Sequence, residues 1–153
     1  MEINQDAPVV ATAEIAINAD PEVVWEVISD VAKWPAWNPA VKSVSVDGPV
    51  EVGRTFRWKA GPGTITSTVQ ELERPHVIGW SGRTMGVPAR HVYRLEPRDG
   101  GTLVHTSESW EGMIASLLRK SLTKQLQASL ESGLQSLKAE AERRTAHSQP
   151  PER

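Results

Sequence analysis

ARHVYRLEPRDGGTLVHTSESW, residues 89–110, consists of two alternating runs joined by the pair Asp99-Gly100. An Asp-Gly pair between such runs is typical of a two-residue β-hairpin turn, which fixes the register of the two strands. The predicted cross-strand partners are Arg98 and Gly101, Leu95 and Val104, Tyr93 and Thr106, and His91 and Glu108. The stretch therefore predicts an antiparallel strand pair of defined register.

The two faces of this hairpin differ in character, because successive side chains on a strand point to opposite faces. One face carries His91, Tyr93, Leu95, Val104, Thr106, Glu108 and Trp110. The other face carries Arg90, Val92, Arg94, Glu96, Leu103, His105, Ser107 and Ser109. Since the second set is mostly polar, we expect the first set to face the interior of the protein.

Further alternating runs, separated by turn residues, occur along the rest of the chain, and their short connections favour antiparallel neighbours. Strands are predicted at 12–17, 41–46, 55–59, 64–72, 77–83, 89–96 and 102–110. Apolar residues at helical spacing predict a helix at 22–31 and a long amphipathic helix at 113–144. The run WPAW at 34–37 predicts one short helical turn after the first helix.

This order of elements predicts an α+β fold in which a curved antiparallel sheet of seven strands wraps around the long C-terminal helix. The sheet must cover its apolar face, and only the terminal helix has a matching stripe and sufficient length. We expect one domain at 11–144, a flexible leader at 1–10 and a disordered tail at 145–153. A deeply curled sheet would leave a cavity beneath the helix.

Composition excludes several classes of function. The net charge is −2 and no basic stripe is visible, so we expect no nucleic-acid partner. The chain has no cysteine and its four histidines lack the spacing of metal ligands, so no metal or cofactor is predicted. No stretch approaches the roughly 20 apolar residues that span a bilayer, and no signal peptide is visible, which favours a cytoplasmic location.

The aromatic content is unusual, because the chain has six tryptophans but only one phenylalanine and one tyrosine. Trp34 and Trp37 are interpreted as side chains that fill the core beside the predicted short helical turn. The pattern leaves open whether Trp58, Trp80 and Trp110 line a cavity or fill a core. A tight turn between 64–72 and 77–83 sets two further pairs, Val69 with Trp80 and Ser67 with Gly82, and so extends the inward face.

The predicted ligand-binding wall combines these inward positions with the upstream end of the terminal helix. Its members are Phe56, Trp58, Ile65, Ser67, Val69, Ile78, Trp80, His91, Tyr93, Thr106, Glu108, Trp110, Met113, Leu117 and Ser121. The polar members are the most informative, because burying a carboxylate without a partner is costly. His91 and Glu108 either pair with each other and hold the register, or orient a polar group of a ligand, or act as an acid–base pair aided by Tyr93.

Several motifs resemble the helix-grip superfamily, which includes the START-like domains, the birch-pollen-allergen-like proteins and the polyketide cyclase/dehydrase-like proteins, together called SRPBCC. They cover about residues 11–144 in order: INADPEVVW at 17–25, WPAWNP at 34–39, GRTF at 53–56, ERP at 73–75, YRLEP at 93–97 and ESWEG at 108–112. The segment DGPVEVG at 47–53 differs from the glycine-rich loop of the plant allergen subgroup, which speaks against that subgroup's activities.

The resemblance implies a seven-stranded sheet that grips a long helix around a hydrophobic tunnel for lipids, steroids or polyketides. It transfers no catalytic residues, so three functions stay open. The first is binding or transport of a small hydrophobic molecule by a monomer or homodimer. The second is a polyketide cyclase or dehydratase with Glu108, His91 and Tyr93 as candidate catalytic residues. The third is a non-enzymatic partner domain resembling a chaperone cofactor.

Overall fold

The computed structural model describes residues 1–148 and has the predicted α+β helix-grip architecture. A seven-stranded antiparallel sheet with the strand order β1-β7-β6-β5-β4-β3-β2 curves around the C-terminal helix. The strands are β1 (Val9–Ile17), β2 (Val41–Val46), β3 (Thr55–Ala60), β4 (Gly63–Glu73), β5 (Val77–Thr84), β6 (Val87–Arg98) and β7 (Gly101–Trp110). The helices are α1 (Pro21–Ser29), α2 (Trp34–Trp37), α3 (Met113–Leu117) and α4 (Arg119–Ser148).

The first helix begins where the sequence predicts, with Pro21 in its first turn and Asp20 in extended conformation before it. It ends at Ser29, two residues before the predicted end, because Asp30 leaves the helical region with φ −84° and ψ 74°. A turn of 3₁₀ helix at Val31–Lys33 then leads into α2. Together α1 and α2 cover one end of the curved sheet, where the buried face of α1 faces the core.

Strand registers at both analysed hairpins agree with the predictions. On β6 and β7, His91 lies opposite Glu108 and Tyr93 lies opposite Thr106. On β4 and β5, Val69 lies opposite Trp80 as predicted. The connection between these two strands, however, is longer than the predicted tight turn. The last pair before the turn is Glu73 with Val77, and a register shift between Val69 and Glu71 compensates for the longer connection.

The long C-terminal helix is interrupted, which corrects the prediction of one helix over 113–144. Leu118, with φ −108° and ψ 25°, separates α3 from α4. The apolar stripe of α4 is buried over β1 and α1, and its buried members are Leu126, Leu130, Leu134, Leu137 and Ala141. The helix continues beyond the expected end to Ser148, so the expected disordered tail begins as helix, and residues 149–153 lie outside the described part of the chain.

The first residues pack against the sheet rather than forming the expected loose leader. Ile3 is buried with Val77 and Val92 on the outer face. The backbone N–H of Asn4 donates to Ser109 Oγ at 3.0 Å, and the Met1 amino group contacts the Glu71 carboxylate. The reason is that the outer face, although mostly polar, contains apolar side chains that the amino-terminal segment removes from water.

Candidate functional site

Every strand residue of the predicted wall lies on the same inward face of the sheet. The buried members are Phe56, Ser67, Val69, Ile78, Trp80, His91 and Thr106. The half-buried members are Trp58, Ile65, Tyr93, Glu108 and Trp110. The structure therefore brings all twelve strand positions to one curved surface, as the alternation of the strands requires.

The three helical members of the predicted wall lie elsewhere. Met113 and Leu117 are 78% and 77% exposed, and Ser121 is exposed as well. The buried residue of α3 is Ala115, and positions two residues away are turned by about 200° around a helix. Met113 and Leu117 consequently point to solvent and do not lie on the inward face with the strand members.

Trp34 occupies the closed end of the concave space and is the centre of an aromatic cluster. Its ring centroid lies 5.6 Å from Phe56, 5.3 Å from Trp58 and 5.5 Å from Trp80. Its indole N–H donates to the Ile28 carbonyl at 2.9 Å. Trp34 thus fills the core beside the short helical turn, as expected. It also contacts three wall residues, and nothing in the sequence indicated those contacts.

The remaining concave surface includes apolar side chains that are only half-buried. Several inward-facing apolar side chains pack against the core and yet retain accessible surface: Ala13, Ile15, Val44, Val46, Trp58, Tyr93, Trp110 and Leu122. A close-packed interior would leave such side chains in contact with protein alone. The sequence alternation of β1 and β2 identifies the first four of them, although they were not included in the predicted wall.

A polar cluster lies among these apolar side chains, on β6 and β7. His91 Nδ1 lies 2.7 Å from Glu108 Oε1, and His91 Nε2 lies 2.8 Å from Thr106 Oγ1. The indole N–H of Trp110 donates to Glu108 Oε2 at 2.6 Å. The two nitrogens of His91 and the two oxygens of Glu108 therefore each have a close partner, although the His91–Glu108 contact is not aligned as a hydrogen bond.

Ring stacking fixes the imidazole of this cluster in place. His91 stacks on Tyr93 with centroids 4.8 Å apart, and Trp80 lies 4.9 Å from His91 and 5.8 Å from Tyr93. Burial raises the pKa of the Tyr93 hydroxyl, the nearby Glu108 carboxylate raises it further, and hydrogen bonding with Thr106 acts in the opposite direction. Tyr93 is accordingly a neutral hydrogen-bond donor at physiological pH.

The arrangement suits the positioning of a ligand better than proton transfer. A general base must have a free atom within hydrogen-bond reach of the proton that it removes. In the cluster, His91 Nε2 and Glu108 Oε2 have hydrogen-bond partners, and His91 Nδ1, which has none, is buried against Glu108. Tyr93 is half-buried and carries its proton. Within residues 1–148, no group of three histidine or carboxylate side chains is arranged to hold a metal ion.

Comparison with known proteins agrees with the geometry. A family model described as "Polyketide cyclase / dehydrase and lipid transport" matches residues 8–142. No curated protein is significantly similar to the chain.

Solved structures share the fold at low sequence identity. A hypothetical protein, jhp0584 of Helicobacter pylori, is 16% identical with a TM-score of 0.81, and the alignment covers 90% of each chain. A START superfamily protein of Mycobacterium smegmatis is 17% identical with a TM-score of 0.74, covering 88% of this chain and 97% of that one. TTHA0849 of Thermus thermophilus is 21% identical with a TM-score of 0.73, covering 92% and 99%. At such identities the likeness establishes the fold alone.

Proposed function

The chain belongs to the polyketide cyclase/dehydrase and lipid transport family, and from that premise we propose that it binds one small, mainly apolar molecule. The molecule lies between the concave face of the sheet and helix α4. Its apolar body contacts the indole and aliphatic side chains, and one polar group reaches the cluster on β6 and β7. A lipid, a steroid and a polyketide all have this chemistry.

The observation that carries this proposal is the accessible surface that remains on inward-facing apolar side chains. Ala13 and Ile15 lie on β1, beside the closing helix, and Trp58 and Val44 lie opposite each other near the other edge of the sheet. Leaving apolar surface accessible forgoes about 25 cal/mol for each Å². A ligand that covers these side chains would recover that stabilisation.

Tyr93 supplies the polar contact. Because its hydroxyl remains protonated, it can donate to a carbonyl or hydroxyl oxygen of the ligand. His91 stacks on the ring of Tyr93 and so holds that ring in position. A fixed donor in an apolar site orients a ligand without supplying much of its affinity.

A cyclase or dehydratase is the second candidate, favoured by the adjacency of His91, Glu108 and Tyr93. Such an enzyme would use the site to fold a poly-ketone chain and exclude water. Binding ranks first because His91 Nε2 and Glu108 Oε2 have protein partners and His91 Nδ1 is buried against Glu108. Turnover that survives in Glu108→Gln and Tyr93→Phe would remove these residues from any catalytic role.

The experiment uses an inward and an outward alanine of the same strand. Ala13 faces the interior and is half-buried, whereas Ala16 is exposed on the outer face. We expect Ala13→Phe to fill the space and weaken binding of a dansylated fatty acid at least tenfold, while Ala16→Phe binds like the wild type. Equal affinity of Ala13→Phe and the wild type, with both variants folded by circular dichroism, would contradict the proposal.

A further inference from the structure

Helix α3 and the residue after it present an apolar surface to solvent. Met113 and Leu117 are 78% and 77% exposed, Leu118 is 52% exposed and Ile114 is 46% exposed. We call these four residues the α3 patch. Large apolar side chains gathered at one place on a surface commonly mark an interaction site. Neither the interior site nor the helix packing uses these side chains, since Ala115 alone anchors α3 in the core.

Basic residues follow the α3 patch directly. Arg119, Lys120 and Lys124 lie in the first turns of α4, and residues 112–130 include no acidic side chain. Among the described residues, none of these three cations takes part in a salt bridge, although ion pairs are frequent elsewhere on the surface. The patch is therefore accompanied by three basic side chains that form no salt bridge within the described residues.

The same three basic residues line an open groove of about 850 Å³ between α4 and the amino-terminal segment. Ala7, Pro8 and Val10 form the opposite side, and Glu131 lies among the α4 residues of the groove, seven positions beyond Lys124. Phosphate groups are natural partners for unpaired lysine and arginine side chains at such a place. The groove residues begin at Arg119, directly after the last residue of the α3 patch, so the apolar and cationic side chains are adjacent along the chain.

We propose that the α3 patch and the start of α4 dock the protein on the surface of a membrane that contains anionic lipids. Met113, Ile114, Leu117 and Leu118 enter the boundary between headgroups and acyl chains. Arg119, Lys120 and Lys124 face the lipid phosphates. The docking is peripheral, because no helix in residues 1–148 is long and apolar enough to cross a bilayer.

A membrane fits this surface better than a second copy of the chain. In a two-fold dimer the same surface of each subunit is buried against its counterpart, so the three cations of both subunits would be gathered at one interface. Such like-charge contact is unfavourable, whereas an anionic bilayer offers an apolar layer bordered by negative charge. The inference does not depend on the interior site, and its failure would leave the proposed ligand binding untouched.

The test is flotation of the full chain with vesicles of phosphatidylcholine, alone or mixed with phosphatidylglycerol. We expect the wild type to float with the mixed vesicles, to bind pure phosphatidylcholine much less, and to dissociate at high salt. The triple substitution of Arg119, Lys120 and Lys124 by alanine should weaken binding to the mixed vesicles at low ionic strength, by roughly fivefold for each side chain.

The apolar contribution is tested by Met113→Ser/Leu117→Ser, with Val52→Ser as the matched control. Val52 is 62% exposed and lies near Asp47, Glu51 and Arg54, where the one basic side chain is paired with Glu51. We expect the double variant to lose vesicle binding and Val52→Ser to retain it, with both folded by circular dichroism. Unchanged vesicle binding of the double variant overturns the proposal. Equal binding of the wild type to vesicles with and without phosphatidylglycerol also overturns it. A dimer that the double variant abolishes, without vesicle binding, overturns it as well.

Discussion

His91 and Glu108 lie directly opposite each other on β6 and β7, with Nδ1 and Oε1 2.7 Å apart on the concave face. The Asp99-Gly100 turn sets this register, so a local turn preference determines a contact between side chains several residues away. The pair is embedded among aromatic rings, and the Glu108 carboxylate helps to raise the pKa of Tyr93. The interior thus combines an apolar lining with one fixed hydrogen-bond donor.

Ionisation of Tyr93 reports the charge of Glu108. The chain has a single tyrosine, so the absorbance change of tyrosinate formation belongs to Tyr93 alone. In the wild type we expect ionisation well above the ordinary pKa of about 10. Glu108→Gln should lower the pKa of Tyr93, because the carboxylate is one cause of its elevation, yet burial should keep it above the ordinary value. An identical titration of the two proteins would contradict this electrostatic coupling.

Because the pKa of Tyr93 is raised, the free energy of unfolding should decrease at alkaline pH. The Tyr93 hydroxyl has a higher pKa in the folded state than in the unfolded chain, so its contribution is complete below about pH 10. As pH rises above that value, the unfolded state releases the proton first and the folded state loses stability. Urea unfolding from about pH 8 to about pH 11 should show a steeper loss for the wild type than for Tyr93→Phe. Parallel curves would exclude a buried, neutral hydroxyl.

Thr106 supplies the second partner of His91, so we expect Thr106→Val to leave Nε2 without one. A buried polar group without a partner costs about 1–3 kcal/mol, which is the expected decrease in the free energy of unfolding. Thr66→Val on the exposed side of β4 is the control and should change stability little. Chemical unfolding of both variants makes the comparison, and equal stabilities would mean that the His91–Thr106 contact contributes nothing.

Two glycines give opposite predictions for the same substitution. A Cβ on Gly101 would lie 2.3 Å from the Ile17 carbonyl oxygen, whereas a Cβ on Gly133 would meet no atom within 4 Å. Gly101→Ala should destabilise by about 1–3 kcal/mol, because backbone atoms must shift. Gly133→Ala lies within α4 and should stabilise by roughly 0.5–1 kcal/mol. Thermal unfolding compares the two, and a stable Gly101→Ala would show that β1 and β7 are less closely packed.

Local patterns in the sequence determine most of the fold. The period of two in β6 and β7, together with the Asp99-Gly100 turn, predicted the partners of His91 and Tyr93 correctly. The period of the leucines predicted the buried stripe of α4. These features depend on neighbours a few positions apart, which a single sequence contains.

Features that depend on distant contacts were not predictable in the same way. Leu118 has no helix-breaking chemistry, so no local pattern indicated that α3 and α4 are separate or that Leu117 is exposed. The packing of Ile3 on the outer face requires knowledge of which valines that face leaves uncovered. Likewise, the contacts of Trp34 with three wall residues arise from the curl of the sheet, not from its own neighbours.

The central claim is that an apolar molecule enters the space under α4, and the indole N–H signals of the tryptophans test it most directly. In a nuclear magnetic resonance titration with a fatty acid, we predict that the indole signals of Trp58 and Trp110 shift and saturate together. Perturbation confined to the groove residues Arg119, Lys120 and Lys124, with both indole signals unmoved, would contradict the claim.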